Sequence, residues 1–316
     1  MPRKKSANSL DSLIEEGLLV KGSDESFVIQ WIPFGLPELD GVTGGGVPRK
    51  RITILTGNYS DGKSFLLQIL LKKALEDGLQ VAYLDTEQSY DPVWWKKVGI
   101  DTENLWVSQP PSGEKGIDIT YALAMSGFDI IAVDSLAGLI PTEEIEKGAD
   151  QQFIGIHARL VNRFMRKMLS GVHNAAIVCT NQLRDAMGPF EDALPGGRGQ
   201  RFWAGLLMRI QREGWIYDGD DRIGFNMRVV CRKSKVGTPF KECLLPFSFR
   251  GEIDVLSLLL DRAIEAGLVK QTGPWYNIME GERLQGRNNV LEALSTSPEL
   301  AARLEAAMGD YDAKAS

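Results

Sequence analysis

The stretch from Arg51 to Leu71, RITILTGNYSDGKSFLLQILL, constrains the fold more than any other part of this chain. It predicts a buried apolar strand, then a loop bounded by glycines, then an amphipathic helix. The loop, residues 57–64, fits the pattern G-x-x-x-x-G-K-[ST] of phosphate-binding loops. Its glycines let the backbone curl around an anion, and the start of the helix adds the positive end of a dipole. We therefore predict a nucleotide site in which Lys63 contacts the phosphates and the Ser64 hydroxyl binds Mg²⁺.

The composition predicts a cytoplasmic protein with a large apolar core. The chain has 316 residues, of which 43% are hydrophobic and 25% are charged. No apolar run approaches the ~18 residues that span a bilayer, and the basic start lacks the apolar core of a secretory signal. Three dispersed cysteines and two histidines argue against disulfides, zinc and a histidine-based metal site. With a net charge of −6, nucleic-acid binding would need local basic loops or an assembly that aligns basic groups.

The apolar pattern divides the chain into three parts. Residues 1–33 contain a predicted helix over 10–19 and a predicted strand over 27–32, and they are too few to bury their own apolar face. This part must pack on its own core or on a neighbouring subunit, and the pattern alone leaves both open. Residues 34–251 form the predicted core, and residues 252–316 form a small α+β domain.

Within the core, strand-like runs alternate with helical segments. This alternation predicts an α/β fold with a mostly parallel sheet, whose ligands bind beyond the carboxyl ends of the strands. The predicted strands cover residues 52–56, 81–85, 129–134, 175–180, 206–211 and 226–231. After residue 251 we predict a single short hairpin and helices over 255–265, 289–294 and 298–308.

Polar residues follow three of the predicted strands. Asp134 ends the run IIAVD, and an apolar strand followed by a carboxylate is typical of the residue that holds Mg²⁺ beside phosphates. Glu87 could polarise an attacking water, or it could be an exposed loop carboxylate. Gln182 could donate to a γ-phosphate, although a polar cap of the strand end explains it at least as well.

Two polar segments surround a predicted amphipathic helix. Residues 143–152 are predicted to be a loop, and residues 189–201 a loop long enough to be functional or disordered. The helix between them has a basic face that includes Arg159, which solvation alone explains. Glycines and arginines at the end of the second loop suit phosphate binding, whereas Glu191 and Asp192 oppose it. Composition favours neither interpretation.

The order of these motifs resembles that of the RecA family of recombination ATPases, which has bacterial and phage members. GNYSDGKS, AYLDTEQSYDP, IIAVDSLAGL, CTNQLRDAMG, PGGRGQRFWA and CRKSKVGTPFK follow one another as the family's motifs do. GPWYNIMEGERLQGRNN is similar to the family's small C-terminal domain. The resemblance covers residues 32–304. It implies a RecA-like P-loop ATPase core, an N-terminal helix–strand arm that docks on the adjacent subunit, and a small α+β C-terminal domain.

The resemblance also implies roles for individual residues. Glu87 would activate water, Gln182 would sense the γ-phosphate, and Lys233 and Lys235 would reach the nucleotide of the neighbouring subunit. The metal would be held by Ser64 and Asp134. The nucleotide would contact Gly57, Asn58, Tyr59, Ser60, Asp61, Gly62, Lys63, Ser64 and Phe65, with Asp91 and Trp94 beside the adenine. Single-stranded DNA would contact Arg159, Gly196, Gly197, Arg198 and Arg201. Phe202 would join Lys233 and Lys235 at the subunit interface.

The phosphate loop departs from the family pattern at two positions. Tyr59 and Asp61 replace the smaller, uncharged residues usual in bacterial members. Asp61 places a carboxylate near the predicted phosphates, and the sequence offers no reason for it.

We predict from these features a DNA-dependent ATPase that forms filaments on single-stranded DNA and pairs it with homologous duplex DNA in recombination and repair. Its cofactors would be ATP and Mg²⁺, its partners DNA and further copies of itself, and no membrane would be involved. The alternatives are a ring-forming helicase motor with the same core and a RecA-fold regulatory ATPase acting on protein partners.

Overall fold

A computed structural model describes residues 10–147, 155–171, 173–183, 194–279 and 281–315. Its strands are β1 (Trp31–Ile32), β2 (Val47–Pro48), β3 (Ile52–Gly57), β4 (Val81–Asp85), β5 (Leu105–Ser108), β6 (Ile130–Asp134), β7 (Ala176–Gln182), β8 (Leu206–Asp218), β9 (Asp221–Ser234), β10 (Glu242–Ser248), β11 (Glu252–Ile253), β12 (Val269–Thr272), β13 (Trp275–Ile278) and β14 (Glu282–Gln285). Its helices are α1 (Leu10–Glu15), α2 (Pro37–Thr43), α3 (Lys63–Glu76), α4 (Pro92–Lys97), α5 (Gly113–Met125), α6 (Thr142–Glu146), α7 (Ile156–Ser170), α8 (Gly199–Trp203), α9 (Val255–Glu265), α10 (Arg287–Thr296) and α11 (Pro298–Ala315). None of these helices is long and apolar enough to cross a membrane.

One large sheet organises the core. Within the described ranges it has nine strands, in the order β11-β10-β9-β8-β3-β7-β6-β4-β5. The strands from β8 to β5 in this order are parallel, whereas β8, β9, β10 and β11 are joined antiparallel. The six predicted core strands are all present. The predicted α/β class with a mostly parallel sheet is therefore confirmed.

Helices cover both faces of this sheet with separate apolar clusters. On one face, α3 contributes Leu66, Leu67 and Leu70 to a cluster that includes alternate residues of β3, β4 and β6. On the other face, the apolar stripe of α7, including Leu160 and Phe164, packs on the remaining residues of those strands. Because both faces are covered, the central strands β3, β4 and β6 are buried along their whole length.

Several elements of the core differ from the prediction. The edge strand β5 and strand β10, which lies next to the opposite edge, were not predicted, and β8 and β9 extend well beyond residues 206–211 and 226–231 as a long hairpin. Part of the predicted loop over 143–152 is helical, since α6 starts at Thr142. The Thr142 backbone N and Oγ1 donate to Glu114 Oε2 at 2.8 and 2.7 Å, which fixes this start.

The C-terminal part has its own apolar cluster. The antiparallel sheet β12-β13-β14 and helices α9, α10 and α11 surround a core that includes Leu260, Tyr276 and Leu304. The three predicted helices are confirmed, although α10 and α11 are longer than predicted. The prediction of a single hairpin after residue 251 is wrong, because β11 extends the large sheet and β12 adds a third strand. Only Val269 of β12 is buried, so the sequence shows no apolar alternation there.

The N-terminal part is less regular than predicted. Helix α1 ends at Glu15 instead of residue 19, and the turn that follows contains Gly17 with a φ of +68°. The predicted strand over 27–32 is reduced to Trp31–Ile32, which pairs with β2. Apolar side chains before it are 53–70% exposed and do not pack on the described core of their own chain: Leu10, Ile14, Leu18, Phe27 and Val28.

Candidate functional site

The predicted phosphate loop joins the end of β3 to the start of α3. Gly62 has a φ of +93°, and a Cβ there would lie 2.3 Å from Met227 Cε. A Cβ at Gly57 would lie 2.5 Å from the Ile210 carbonyl oxygen. Glycine is therefore required at both ends, because β8 and β9 pack directly against the loop. Asn58, Tyr59, Ser60 and Ser64 are exposed on its open side.

Asp61, which the sequence left unexplained, holds the loop in shape. Its side chain is buried with 6% exposure. Oδ2 accepts a hydrogen bond from the Asn58 backbone N at 2.9 Å, and Oδ1 accepts one from the Arg212 backbone N at 3.4 Å. The carboxylate thus closes the loop on itself and fastens it to β8.

Lys63 lies within the same loop. Its Nζ donates to the Asn58 carbonyl oxygen at 2.6 Å, and the residue is buried with 8% exposure. Burial lowers the pKa of Lys63, while the carboxylates of Asp61, Asp134 and Glu87 act in the opposite direction. The Lys63 ammonium group is therefore buried, and the negative charges of these three carboxylates stabilise it.

Asp134 ends β6 beside the loop and is also buried. Its oxygens accept hydrogen bonds from the Tyr83 hydroxyl at 3.2 Å and from Thr180 Oγ1. Burial raises the pKa of Asp134, opposed by the hydrogen bonds from Thr180 and the Ser64 hydroxyl. The two predicted metal ligands, Ser64 and Asp134, are thus close enough for the Ser64 hydroxyl to affect the pKa of Asp134.

This pair of ligands fits Mg²⁺ better than a softer metal. A hydroxyl and a carboxylate supply only oxygen, and Mg²⁺ typically takes one or two protein oxygens and completes its shell with water and substrate phosphates. Among the described residues there is no cluster of three or more His, Cys, Asp or Glu side chains that could bind a metal without such help.

Glu87 follows β4 at the same edge of the sheet and is exposed. Ser135 Oγ donates to Glu87 Oε1 at 2.5 Å, which holds the carboxylate next to the end of β6. Thr86 strengthens this connection, because its Oγ1 donates to the Ser135 carbonyl at 2.8 Å and accepts from the Ser135 backbone N at 2.7 Å.

Gln182 ends β7 directly beside the phosphate loop. It pairs with Gly57 in the parallel register, and the Leu183 backbone N donates to the Gly57 carbonyl at 3.0 Å. The Gln182 side chain is exposed. The structure therefore brings Lys63, Ser64, Glu87, Asp134 and Gln182 to one edge of the sheet, as the order of strands requires.

The two residues predicted to flank adenine begin and line helix α4. Asp91 caps the helix by accepting from the Val93 backbone N at 2.9 Å, and Trp94 is half-buried. Trp94 Cη2 lies 3.4 Å from the position of a Cβ at Gly251. Phe249, two residues before Gly251, is 48% exposed and its ring contacts that of Phe247. The Phe247 ring in turn contacts Phe65 in the first turn of α3, with 4.4 Å between the two ring centroids. The sequence prediction missed this aromatic group, since no motif marks it.

The predicted DNA-binding residues fall into two neighbouring segments. Arg159 is exposed near the start of α7, and Arg198 is exposed just before α8. A Cβ at Gly197 would lie 3.3 Å from Ala158 Cβ, which brings the two segments into contact. Gly196 and Gly197 have φ values of +84° and +80°, and Arg201 is half-buried.

The second predicted loop is partly helical. Residues Gly199–Trp203 form α8, whereas a loop without regular structure was predicted over 189–201. Phe202 on this helix is 75% exposed, as an interface residue requires. The acidic pair Glu191 and Asp192 lies outside the described residues.

The two lysines predicted to act on a neighbouring subunit differ in their surroundings. Lys233 Nζ donates to the carbonyls of Arg201, Phe202 (3.1 Å) and Ala204 (2.9 Å), and so caps the end of α8 in its own chain. Burial, and then the charge of Lys235, lowers the pKa of Lys233. Lys235 itself is exposed.

Comparison with known proteins identifies the family. The RecA N-terminal domain family matches residues 8–254, and the RecA C-terminal domain family matches residues 257–310. The chain is 34% identical over 308 residues to Protein RecA of Heliobacterium modesticaldum, which covers 94% of this chain and 89% of the relative. It is 37% identical over 292 residues to Protein RecA of Acholeplasma laidlawii (90% and 87%) and 33% identical over 316 residues to that of Thermus aquaticus (96% and 93%). The family predicted from the motifs is confirmed, and the chain belongs to the RecA family.

Proposed function

We propose that this member of the RecA family is a DNA-dependent ATPase that forms helical filaments on single-stranded DNA. The filament would pair with homologous duplex DNA and promote strand exchange. The observation that carries the proposal is that five side chains suited to nucleotide chemistry lie at one edge of the sheet: Lys63, Ser64, Glu87, Asp134 and Gln182. The glycine-rich segment 195–201, which carries Arg198 and Arg201, is hydrogen-bonded to the end of β7 beside them.

The nucleotide is proposed to be ATP with Mg²⁺. The loop residues 57–65 would bind the phosphates, with Lys63 transferring its Nζ from the Asn58 carbonyl to a phosphate oxygen. Ser64 and Asp134 would hold Mg²⁺, which neutralises charge on the phosphate oxygens when bound. Asp91 and Trp94 would flank the adenine, and the exposed ring of Phe249 supports an aromatic contact there.

Glu87 is the proposed general base for hydrolysis. Its carboxylate accepts from Ser135 Oγ, so its orientation is fixed before the water arrives. Gln182, beside Gly57, would donate its amide to the γ-phosphate. Both groups are exposed and free to face a nucleotide bound over the loop.

DNA is proposed to bind chiefly through its backbone. Arg159, Arg198 and Arg201, together with the backbone N–H groups of Gly196 and Gly197, would contact phosphates. Sequence would then be read by base pairing between strands. We expect log affinity for single-stranded DNA to fall with log salt by about 0.7 per neutralised phosphate, and affinity independent of salt would contradict backbone binding.

Assembly with neighbouring subunits is proposed to explain two features of the chain: the exposed apolar residues before β1 and the lysines near Phe202. The exposed apolar residues before β1 would dock on an adjacent subunit, which supports treating residues 1–33 as an arm ahead of the ATPase core over 34–251. The separate apolar cluster around Leu260 supports the C-terminal domain proposed over 252–316, although Glu252 and Ile253 pair with the core sheet. Phe202, Lys233 and Lys235 would face the neighbour's nucleotide, with the exposed Lys235 nearest to it. With DNA and ATP as its substrates, the protein would act in the cytoplasm.

ATP hydrolysis measured with and without single-stranded DNA tests the proposal. We expect DNA to stimulate hydrolysis by the wild-type chain. Hydrolysis that is indifferent to DNA would favour a regulatory ATPase and would contradict the proposed recombinase.

A further inference from the structure

Two buried amide side chains join the end of β7 to the segment 195–201, which carries Arg198 and Arg201. Asn181 and Gln200 are both 0% exposed. Asn181 Nδ2 donates to Gln200 Oε1 at 2.7 Å and to the Pro195 carbonyl at 3.0 Å. Gln200 Nε2 donates to the Pro195 carbonyl and to the Gly197 carbonyl at 3.2 Å. The pair therefore holds both ends of the turn that presents Arg198.

The carbonyl partners fix the orientation of both amides. An amide nitrogen must face each carbonyl oxygen, so the Gln200 oxygen is left to face Asn181. Asn181 Oδ1, although buried, has no donor among the described residues. A buried acceptor without a donor is unusual, and it leaves the pair able to take a different hydrogen-bond arrangement when a donor approaches.

Asn181 lies between two residues that belong to the nucleotide site. Thr180 donates to Asp134, and Gln182 pairs with Gly57 of the phosphate loop. Since side chains alternate along a strand, Thr180 and Gln182 point to one face of the sheet and Asn181 points to the other. If the end of β7 shifts when Gln182 moves, Asn181 must therefore move as well.

The segment that Gln200 holds has little room to absorb such a shift. A Cβ at Gly199 would lie 2.0 Å from Asn162 Oδ1, and one at Gly196 would lie 2.7 Å from Val161 Cγ2. The backbone of the segment is thus packed closely on α7. Close packing of this kind transmits a displacement instead of damping it.

We propose that the Asn181–Gln200 pair is the positioning contact through which the nucleotide state at Gln182 sets the placement of Arg198, Arg201 and Phe202. This inference rests on the proposed function and names the contact that links its two sites. Coupling of this kind is reciprocal, so bound DNA would act on nucleotide affinity through the same pair.

The test measures the ratio of the affinities for a fluorescent oligo-dT in the presence of a non-hydrolysable ATP analogue and of ADP. Gln200→Met keeps the length of the side chain and removes its hydrogen bonds. The double variant Asn181→Leu/Gln200→Met replaces the whole pair with apolar groups, so it leaves no unpaired side-chain amide but removes the donors of the Pro195 and Gly197 carbonyls. Gln271→Met, at an exposed glutamine of β12, is the matched control.

We expect the wild-type chain and the control to share the same affinity ratio. Both pair variants should keep wild-type affinity for the ATP analogue. Their ratio of oligo-dT affinities should fall at least fivefold, towards one, because fivefold is about the lower end of typical coupling factors. Wild-type affinity for the analogue shows that the nucleotide site of a variant is folded, so a reduced ratio at unchanged analogue affinity separates positioning from simple stability.

A double variant that retains the wild-type ratio would overturn the role of the pair while leaving the proposed function intact. A wild-type chain that does not bind oligo-dT, or binds it equally with both nucleotides, would overturn the proposed function and the inference together.

Discussion

Replacing Asp61 tests how the phosphate loop is held. Asp61→Ala removes a carboxylate that accepts from the Asn58 backbone N at 2.9 Å and the Arg212 backbone N at 3.4 Å. A hydrogen bond to a charged group stabilises a fold by about 1.5–3 kcal/mol, and the longer contact adds little because it is near the limit for a hydrogen bond. We therefore expect the free energy of unfolding to fall by about 1.5–3 kcal/mol, roughly a tenfold to 150-fold change in the folding equilibrium.

Asp61→Asn is the matched variant. The asparagine keeps one acceptor oxygen for the Asn58 backbone N, so it should retain more stability than alanine. It also removes a negative charge that acts on Lys63 and on any bound phosphate, so nucleotide should bind more tightly than to the wild-type chain.

Urea unfolding and titration with a fluorescent ADP analogue check both expectations. The reasoning would be refuted if Asp61→Ala unfolded at the wild-type urea concentration, or if Asp61→Asn weakened nucleotide binding. The first result would mean that the carboxylate does not stabilise the loop, and the second that it contributes to nucleotide binding instead of opposing it.

Three further predictions follow from the site and from the helix beside it. Glu87→Gln should bind ATP normally but hydrolyse it about 10²–10⁴-fold more slowly in steady-state assays, and near-normal turnover would remove Glu87 from its proposed role. Lys233→Ala combined with Lys235→Ala should keep nucleotide binding and lose DNA-stimulated hydrolysis, whereas surviving stimulation would contradict action on a neighbouring subunit. Burial raises the pKa of Glu114, but hydrogen bonds from Thr142 outweigh this effect and the net pKa is lowered. Its contribution to stability is therefore present above about pH 4.3 and is lost as the pH falls through the lowered value, so the difference in unfolding free energy between wild type and Glu114→Gln should shrink on acidification. A difference that stays constant from neutral to acidic pH would be inconsistent with this hydrogen bonding.

The sequence predicted the core because its signals are local. The strand, loop and helix around Lys63 are contiguous, and each central strand is a short apolar run. Once the strands are parallel, the polar residues that follow them must meet at one edge, which brings Glu87, Asp134 and Gln182 to the loop.

The parts that the sequence did not predict depend on distant partners. Asp61 contacts Arg212, which lies 151 residues further along the chain, so no local pattern explains it. Lys233 caps α8 through carbonyls about thirty residues earlier, and Gln200 meets Asn181 across 19 residues. The apolar run over 27–32 is typical of a strand, but within the described residues only Trp31 and Ile32 of this run pair with another strand.

The central claim is that a nucleotide bound at this edge of the sheet drives assembly on DNA. Electron microscopy of the wild-type chain with single-stranded DNA and a non-hydrolysable ATP analogue tests it most directly. We predict helical filaments that are absent when Lys63→Ala replaces the wild type. Closed rings, isolated particles, or filaments that persist in Lys63→Ala would contradict the claim.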